Sequence, residues 1–344
     1  MQSSITPKVS VIIPVYNGIK NGLENCLISL DQQTYTNLEI LVVDDCSQDS
    51  SATFVEEFAL NSCKHIQLFK HKKNTGLSSS WNDGITKSNG NFVLLIQQDC
   101  SLAENNTLEM GIKEIIERDL GILMGVPVYD SQAVNYFQEI FEFRTSRLLD
   151  ATNQNFFSAN KCDLVRRGDL QKIGEFTTKL SQIGQDWKFA LRANELGVPI
   201  GVSKVFSYRN QMVGEDSFGK ILKKEYHYSK QLAKILINAG VSTKIVGSGT
   251  IGQTNFKNRL FNIMFPLFFD ISIIAWIFIG GLSLLFLSMA ILFIWGLYGS
   301  ALFFLRVGKE YQSLKHALVY LFVSFALDEV YLSGALIGIF HIAE

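Results

Sequence analysis

The sequence has little charge in its last quarter and almost no net charge overall. Its 344 residues carry 31 basic and 32 acidic side chains, which gives a net charge of −1. This balance excludes a nucleic-acid binder driven by bulk positive charge, and the hydrophobic content of 47% excludes a disordered chain. Residues 260–344 hold only eight charged side chains: Asp270, Arg306, Lys309, Glu310, Lys315, Asp328, Glu329 and Glu344. The distribution predicts a polar part, residues 1–259, followed by an apolar part.

The sequence also lacks the cysteine and histidine patterns of disulfide-rich and zinc-binding proteins. Its five cysteines are odd in number and form no C-x-x-C pair, and its five histidines do not cluster. These observations predict reduced thiols in a cytosolic compartment. The N-terminal residues have no basic segment followed by a long apolar core, so we expect no signal peptide.

The apolar part is long enough to enter a membrane. Between Arg259 and Arg306 there are 46 residues with one charge, Asp270, whereas a transmembrane helix needs about 20 residues. A further apolar stretch, 316–342, is interrupted by two adjacent acidic side chains. We therefore expect residues 260–344 to form a membrane region with two to three transmembrane helices.

Basic side chains flank the apolar part and predict its orientation. Lysine and arginine precede the first predicted span and follow the second, which places residues 1–259 on the cytoplasmic face of the cell membrane. Residues 216–259 read as a basic, membrane-proximal helical linker, and residues 219–238 have the pattern of an amphipathic helix. Such a helix either lies on an anionic membrane surface or packs on the soluble domain, and the sequence leaves both open.

Strand-like and helix-like segments alternate near the N-terminus. The predicted strands are 9–15, 39–43, 66–69 and 92–96, and the predicted helices are 20–33, 51–60 and 79–88. This alternation predicts an α/β fold with a mostly parallel, doubly wound sheet. The sequence has no G-x-G-x-x-G after its first strand and no G-x-x-x-x-G-K-[ST], which excludes a dinucleotide-binding dehydrogenase and a P-loop enzyme.

Polar side chains follow the predicted strands, where parallel sheets bind their ligands. Asn17 follows the first strand, Asp44 and Asp45 follow the second, and Asp99 follows the fourth. Carboxylates at these positions can hold a nucleobase, a ribose or a divalent cation. Asp99 is the strongest candidate for a metal ligand. Alternatively, it caps a turn between a strand and a helix. For Asp44 and Asp45 the alternative is that one caps the following helix, at about 51–60, while the other faces the ligand.

Several sequence blocks together resemble the inverting family 2 glycosyltransferases of GT-A fold. The blocks are VSVIIPVYNG (9–18), EILVVDDCSQDS (39–50), NTGLSSSWNDGI (74–85), GNFVLLIQQDCSL (90–102), GVPVYD (125–130), and FFSANKCDLVRRGDLQKIGEF with IGQDWKFALRANELG (156–197). The resemblance implies a Rossmann-like GT-A domain over residues 1–215, with a central sheet flanked by helices. It also implies inverting transfer from a nucleotide-diphosphate sugar with Mg²⁺ or Mn²⁺ as cofactor.

The resemblance assigns roles to individual residues. It implies a general base at Asp186, a metal ligand at Asp99, and diphosphate or acceptor contacts at Trp187 and Arg209. Trp187 is alternatively a packing residue, and Arg209 is alternatively part of a surface ion pair. Nucleotide-sugar contacts are implied for Pro14, Tyr16, Asn17, Asp44, Asn74, Gly76, Gln97 and Gln98.

Four positions depart from the family pattern. Gln97 replaces the first acid of the usual D-x-D metal motif, and Gln185 replaces the acid before the base. Trp81 stands where an arginine is common, and Gln211 replaces the histidine of a Y-R-x-H motif. Metal binding would then rest on Asp99, the diphosphate and water.

The sequence thus predicts a membrane-anchored hexosyltransferase that faces the cytosol. Its expected partners are a nucleotide-diphosphate sugar, the membrane, and a lipid-linked or membrane-proximal glycan whose hydroxyl accepts the sugar; no nucleic-acid partner is expected. One alternative is a polyprenyl-phosphate glycosyltransferase, in which the lipid phosphate is the nucleophile. An alternative of another class is a catalytically degenerate membrane scaffold.

Overall fold

The computed structural model describes residues 6–128, 161–178, 185–211, 217–238, 267–278 and 285–296, with parts of 322–337. The chain divides into two compact units. One comprises residues 1–132, 152–213 and 244–252, and the other comprises residues 133–151, 214–243 and 253–344. The first unit contains the sheet, and the described part of the second is helical. The domain boundaries expected from the sequence stay a prediction.

The N-terminal half of the sheet is parallel, as the sequence predicts. Its strands are β1 (Val9–Val15), β2 (Leu38–Asp44), β3 (His65–Lys70) and β4 (Phe92–Ile96), in the order β3-β2-β1-β4. The helices between them are α1 (Leu23–Asp31), α2 (Ser51–Asn61) and α3 (Leu77–Lys87). Every residue of β1, β2 and β4 is buried, which explains why these strands are mostly apolar and show no alternation of apolar and polar residues.

The other half of the sheet is mixed. Its strands are β5 (Cys100–Leu102), β6 (Ile122–Pro127), β7 (Cys162–Arg166) and β8 (Ile200–Asn210), and the order continues β4-β7-β6-β8-β5. Strand β7 is antiparallel to both neighbours, β8 is parallel to β6, and β5 is antiparallel to β8. The helices of this half are α4 (Thr107–Glu117), α5 (Arg167–Ile173) and α6 (Gln185–Glu195). The expectation of a mostly parallel sheet therefore holds for the first four strands only.

The antiparallel pairing of β4 with β7 brings two distant segments together. Ile96 at the end of β4 lies opposite Cys162 at the start of β7. One residue further along, the Gln97 amide donates to the Lys161 carbonyl oxygen over 2.9 Å. This register places Lys161 beside the loop that follows β4.

Helix α3 packs closely on the centre of the sheet. A Cβ on Gly84 would lie 2.3 Å from Ile12 Cγ2 of β1, so only glycine allows this approach. The N-terminal end of α3 thereby lies over the carboxyl ends of β1 and β2.

The described part of the second unit consists of helices. Helix α7 (Phe218–Asn238) confirms the helix expected over 219–238, and one of its faces is buried at Ile221 and Ser229. Residues 267–278 and 285–296 are also helical, and the Ser272 and Ser288 hydroxyl oxygens lie 2.7 Å apart. Among the residues whose structure is described, no helix combines the length and the apolar character needed to cross a membrane.

Candidate functional site

An open cavity of about 410 Å³ lies at the carboxyl ends of β1 and β4. The described residues that line it are Pro14, Val15, Tyr16, Asn21, Asp45, Asn74, Gly76, Leu77, Ser80, Gln97, Gln98 and Asp99. Seven residues predicted from the sequence are in this set: Pro14, Tyr16, Asn74, Gly76, Gln97, Gln98 and Asp99. The structure therefore brings together loops that follow four different strands, β1 to β4.

Gln98 ties the loop after β4 to the loop after β1. Its Oε1 accepts a hydrogen bond from the Tyr16 amide over 3.0 Å, and its Nε2 donates to the Tyr16 carbonyl oxygen over 3.1 Å. An acid could not make both contacts, because an ionised carboxylate has no donor. The amide at this position thus fixes the backbone that presents the exposed Tyr16 side chain.

Asn17 connects the loops after β1 and β2. Its backbone is left-handed, with a φ of 50° that asparagine tolerates better than most residues. Its amide donates to Ser47 Oγ over 2.9 Å, and its Oδ1 accepts from the Gln48 amide over 2.7 Å. Asn17 is not among the described lining residues, so its predicted nucleotide contact stays a prediction.

The two aspartates after β2 have different surroundings. Asp45 lines the cavity, and its carboxylate accepts from the Thr75 amide over 2.7 Å, the Gly76 amide over 2.8 Å and His71 Nδ1 over 2.8 Å. Asp44 is buried; its Oδ2 accepts from the Ser47 amide over 3.2 Å, while its Oδ1 accepts no hydrogen bond from the described residues. Asp45 therefore anchors the start of α3. Asp44 has a buried oxygen without a described partner but is not among the described lining residues, so its predicted nucleotide contact stays a prediction.

The hydrogen bonds that anchor α3 lower the pKa of Asp45. Burial raises the pKa of the Asp45 carboxyl, but the hydrogen bonds from Thr75, His71 and Gly76 outweigh burial and hold the pKa below its ordinary value. Gly76 has a φ of 89° and a ψ of 163°, a conformation that essentially only glycine adopts. A glycine at this position lets the chain turn into α3 while its amide faces Asp45.

Asp99 forms an ion pair with a residue that the sequence did not single out. Lys161 Nζ lies 2.7 Å from Asp99 Oδ2, and the two side chains are 25% and 15% exposed. Burial lowers the pKa of Lys161, but the adjacent Asp99 carboxylate outweighs burial and raises that pKa above its ordinary value. The lysine is therefore charged at neutral pH and contacts a carboxylate that lines the cavity.

The residues around Asp99 do not fit a conventional divalent cation site. Mg²⁺ and Mn²⁺ prefer several oxygen ligands, usually including carboxylates. Among the described residues there is no group of three or more histidine, cysteine, aspartate or glutamate side chains that could hold a metal. Gln98 is bonded to Tyr16, and Lys161 places an ammonium where a cation would contact Asp99. The expected metal role of Asp99 thus has no support from these residues.

Asp186 lies in the first turn of α6, as the sequence predicts, and it is partly exposed. It is not among the described residues that line the cavity, and its role as a base stays a prediction. The Trp187 side chain lies outside the described part of the structure. Arg209 contacts the Ala103 carbonyl oxygen, and its Nη2 lies 3.5 Å from Glu104 Oε1. These contacts favour the surface ion pair over a diphosphate contact for Arg209.

Helix α6 is connected to α3 through the segment between α5 and α6. Phe176 stacks on Phe189 of α6, with ring centroids 4.4 Å apart. It also packs against Trp81 of α3, where the ring centroids lie 6.3 Å apart. Asn82 of α3 accepts from the Phe176 amide over 2.8 Å and donates to its carbonyl oxygen over 2.9 Å. Trp81, which stands in place of the family arginine, is therefore a packing residue.

Comparison with known proteins adds an independent line of evidence. Residues 10–174 match the family described as Glycosyl transferase family 2. The chain is 36% identical over 135 residues to glycosyltransferase GlyA of Streptococcus pneumoniae, covering 39% of this chain but 19% of that protein. It is 25% identical over 234 residues to glycosyltransferase AglE of Haloferax volcanii, covering 66% of this chain and 74% of that protein.

A solved structure shares the fold. The mannosyltransferase PcManGT from Pyrobaculum calidifontis, solved in complex with GDP-Man and Mn²⁺, superposes with a TM-score of 0.59 at 16% identity. The similarity covers 93% of this chain and 86% of that one. Residues 10–174, somewhat under half of the chain, are thus similar to the Glycosyl transferase family 2, and the mixed sheet belongs to a GT-A-like fold.

Proposed function

We propose that the protein transfers a sugar from a nucleotide-diphosphate sugar to an acceptor hydroxyl, with inversion at the anomeric carbon. The main support is the cavity at the strand ends, which gathers six predicted nucleotide-sugar contacts and the predicted metal ligand Asp99 in the region that matches the Glycosyl transferase family 2. The donors bound by structural relatives, such as the GDP-Man of PcManGT, support a nucleotide-sugar ligand.

Two residues are proposed to bind the nucleotide: Tyr16, which lines the cavity, and Asp44, whose neighbour Asp45 lines it. The buried Asp44 Oδ1, which accepts no hydrogen bond from the described residues, can accept one from a nucleobase N–H. Leaving such an oxygen without a partner costs about 1–3 kcal/mol or more, so a ligand that satisfies it gains affinity. The exposed Tyr16 side chain lines the cavity and offers an aromatic surface to the base or ribose.

The proposed reaction needs one carboxylate, Asp186, as the base and the nucleoside diphosphate as the leaving group. The acceptor oxygen attacks the anomeric carbon from the face opposite the diphosphate and forms the new C–O bond. Its proton passes to the Asp186 carboxylate, which acts as the general base. The bond from the anomeric carbon to the diphosphate breaks, and its electron pair leaves with the nucleoside diphosphate. No step is assigned to Mg²⁺ or Mn²⁺, because the residues around Asp99 do not fit such a site.

The proposal includes an anchor in the cell membrane, with the catalytic unit on the cytoplasmic face. It is supported by the single charge between Arg259 and Arg306 and by the exposed apolar side chains of the helical residues 267–278 and 285–296. The two to three transmembrane helices stay a prediction. Tethering raises the effective concentration of a membrane-bound substrate, which favours a lipid-linked or membrane-proximal glycan as acceptor.

A donor-panel assay on the membrane fraction tests this function. UDP- and GDP-sugars are supplied with a membrane lipid extract, and release of nucleoside diphosphate is measured together with the anomeric configuration of the product. We expect turnover of one donor class with inversion. No turnover and no binding of any nucleotide sugar would favour the degenerate scaffold instead.

Replacement of the proposed base separates the two enzymatic mechanisms. Asp186→Asn keeps the size of the side chain and removes its basicity, so turnover should fall roughly 100- to 10,000-fold while donor affinity is kept. A phosphate nucleophile needs no general base. Retained turnover in Asp186→Asn would therefore support the polyprenyl-phosphate alternative.

A further inference from the structure

A nucleotide-diphosphate sugar bound in the cavity would bring its negative charge close to carboxylates. Its described lining includes the carboxylates of Asp45 and Asp99 and no lysine or arginine. A diphosphate adds negative charge to these carboxylates, and like charges in a partly buried site repel strongly. A cation must therefore come from beside the lining residues or from solution.

Lys161 is in position to supply that charge. Its Nζ lies 2.7 Å from Asp99 Oδ2 and 3.5 Å from Asn210 Oδ1. An ammonium group has three N–H donors, so these contacts do not exhaust it, and a quarter of the side chain remains exposed. Lysine is a well-established phosphate-binding residue that acts as a point charge.

Other described sources of positive charge are less well placed. The Arg209 guanidinium contacts the Ala103 carbonyl oxygen and approaches Glu104. A divalent cation would have to compete with the Lys161 ammonium for Asp99, and the amides of Gln97 and Gln98 carry no charge to attract it. Lysine and metal cannot both occupy the space next to Asp99 Oδ2.

We propose that the Lys161 ammonium, held by Asp99, binds the diphosphate of the donor and takes the place of the divalent cation. This inference rests on the proposed function. In the transfer step, the bond between the anomeric carbon and the diphosphate oxygen breaks and its electron pair goes to that oxygen. Lys161 donates hydrogen bonds to the diphosphate and stabilises the charge that develops there, while the acceptor proton goes to Asp186.

Calorimetry of the full-length protein in detergent, with excess EDTA, tests the proposal. UDP and GDP are titrated, each with its parent nucleoside as reference. We expect one diphosphate to bind in EDTA with an affinity within about threefold of that in Mn²⁺. Lys161→Gln should weaken the diphosphate about 10- to 100-fold, the range of one hydrogen bond to a charged group, and leave the nucleoside unaffected. Lys161→Arg, which keeps the charge, should lose less.

The controls separate this inference from the proposed function. Lys113→Gln removes an exposed lysine of α4 and should change neither affinity. Diphosphate binding that disappears in EDTA and returns with Mn²⁺ would overturn the role of Lys161 and leave the proposed function intact. Absence of binding under both conditions would overturn the proposed function itself. If Lys161→Gln does not fold, as judged by circular dichroism, the wild-type comparison of EDTA with Mn²⁺ still decides.

Discussion

Apolar side chains are arranged in opposite ways in the sheet and in the C-terminal helices. Every residue of β1, β2 and β4 is buried, so these strands satisfy their apolar surface within the first unit. In the helical residues 267–278 and 285–296, by contrast, Phe278 is 84% exposed and Phe293 is 67% exposed. The sheet thus derives its stability from its own packing, whereas the C-terminal helices expose surface that an apolar environment would cover.

Removal of the Asp45 carboxylate should have the largest effect on the sheet unit. Asp45→Ala leaves the Thr75 and Gly76 amides and His71 without their acceptor, so we expect a loss of roughly 3–5 kcal/mol in the free energy of unfolding. Urea denaturation of the full-length protein in detergent measures it. Glu117→Ala, an exposed acid of α4, is the matched control and should change stability by less than about 0.5 kcal/mol.

A charge in the C-terminal helices should affect membrane association and leave the sheet unit intact. Ile271→Lys places an ammonium in an exposed apolar surface near the middle of the predicted first span, which costs about 2.5–3.5 kcal/mol for insertion at the centre of a bilayer. The fraction of protein that resists carbonate extraction from membranes should fall. Leu60→Lys in α2, where the native side chain is 85% exposed, is the control from the other region. Equal extraction of the two variants would contradict the proposed anchor.

Loss of the Asn82 side chain should have a smaller effect on stability. It should lower turnover without lowering the affinity for nucleoside diphosphate. Asn82→Ala removes two hydrogen bonds to the Phe176 backbone and should cost about 1–3 kcal/mol. Since Phe176 stacks on α6, turnover should also fall while nucleoside diphosphate affinity is kept. Asn61→Ala is the control, because the Asn61 side chain donates to the Glu57 carbonyl oxygen of its own helix, α2. Loss of diphosphate affinity in Asn82→Ala would contradict the expectation that only stability and turnover change.

Acid should weaken the sheet unit through Asp45. Its pKa in the folded protein is lower than in the unfolded chain, so its ionised form stabilises the fold. This contribution is present above the unfolded pKa of about 3.9 and is lost as the pH falls through the folded pKa. The unfolding free energy should therefore decrease below about pH 4 less steeply in Asp45→Asn than in the wild type. Identical pH profiles in that range would refute the assignment.

The smallest effect is expected at a surface ion pair of the same unit. Lys70 Nζ and Glu56 Oε1 lie 2.6 Å apart, and both side chains are about half exposed. Exposed pairs contribute roughly 0–1 kcal/mol and are screened by salt. A double-mutant cycle with Lys70→Ala and Glu56→Ala should give a coupling energy below about 0.5 kcal/mol at physiological salt. A larger coupling would show that surface charge contributes to this fold.

The N-terminal half of the sheet was accessible from the sequence, because its signals are local. Runs of buried apolar residues separated by turn residues gave β1 and β4 with the bounds seen in the structure, and β2 and β3 within one residue at each end. The mixed half was not accessible in this way. Strand β7 is inserted between β4 and β6 by pairing over some 70 residues of chain, and no local pattern encodes such a partner.

The same distinction explains what was missed in the site. Seven of the residues named from the sequence line the cavity, because six of them follow strands of the parallel half and Pro14 lies near the end of β1. The sequence offered Asp44 or Asp45 as a cap for the following helix, α2, whereas Asp45 anchors α3, because that contact depends on where the distant Thr75 and Gly76 amides lie. Lys161 was missed because a single lysine before a short strand does not indicate a function. It lies next to Asp99 only because of the register in which β7 pairs with β4.

That register also has a consequence for the order in which the protein is made. Strands β1 to β4 are complete once the ribosome has passed residue 96, and domains generally fold from the N-terminus during synthesis. The loops that surround the cavity can therefore form early, but Lys161 is added 62 residues after Asp99. A nascent chain that ends before β7 carries the Asp99 carboxylate without its ammonium partner. Nascent chains of increasing length should therefore gain affinity for diphosphates only when β7 has joined the sheet.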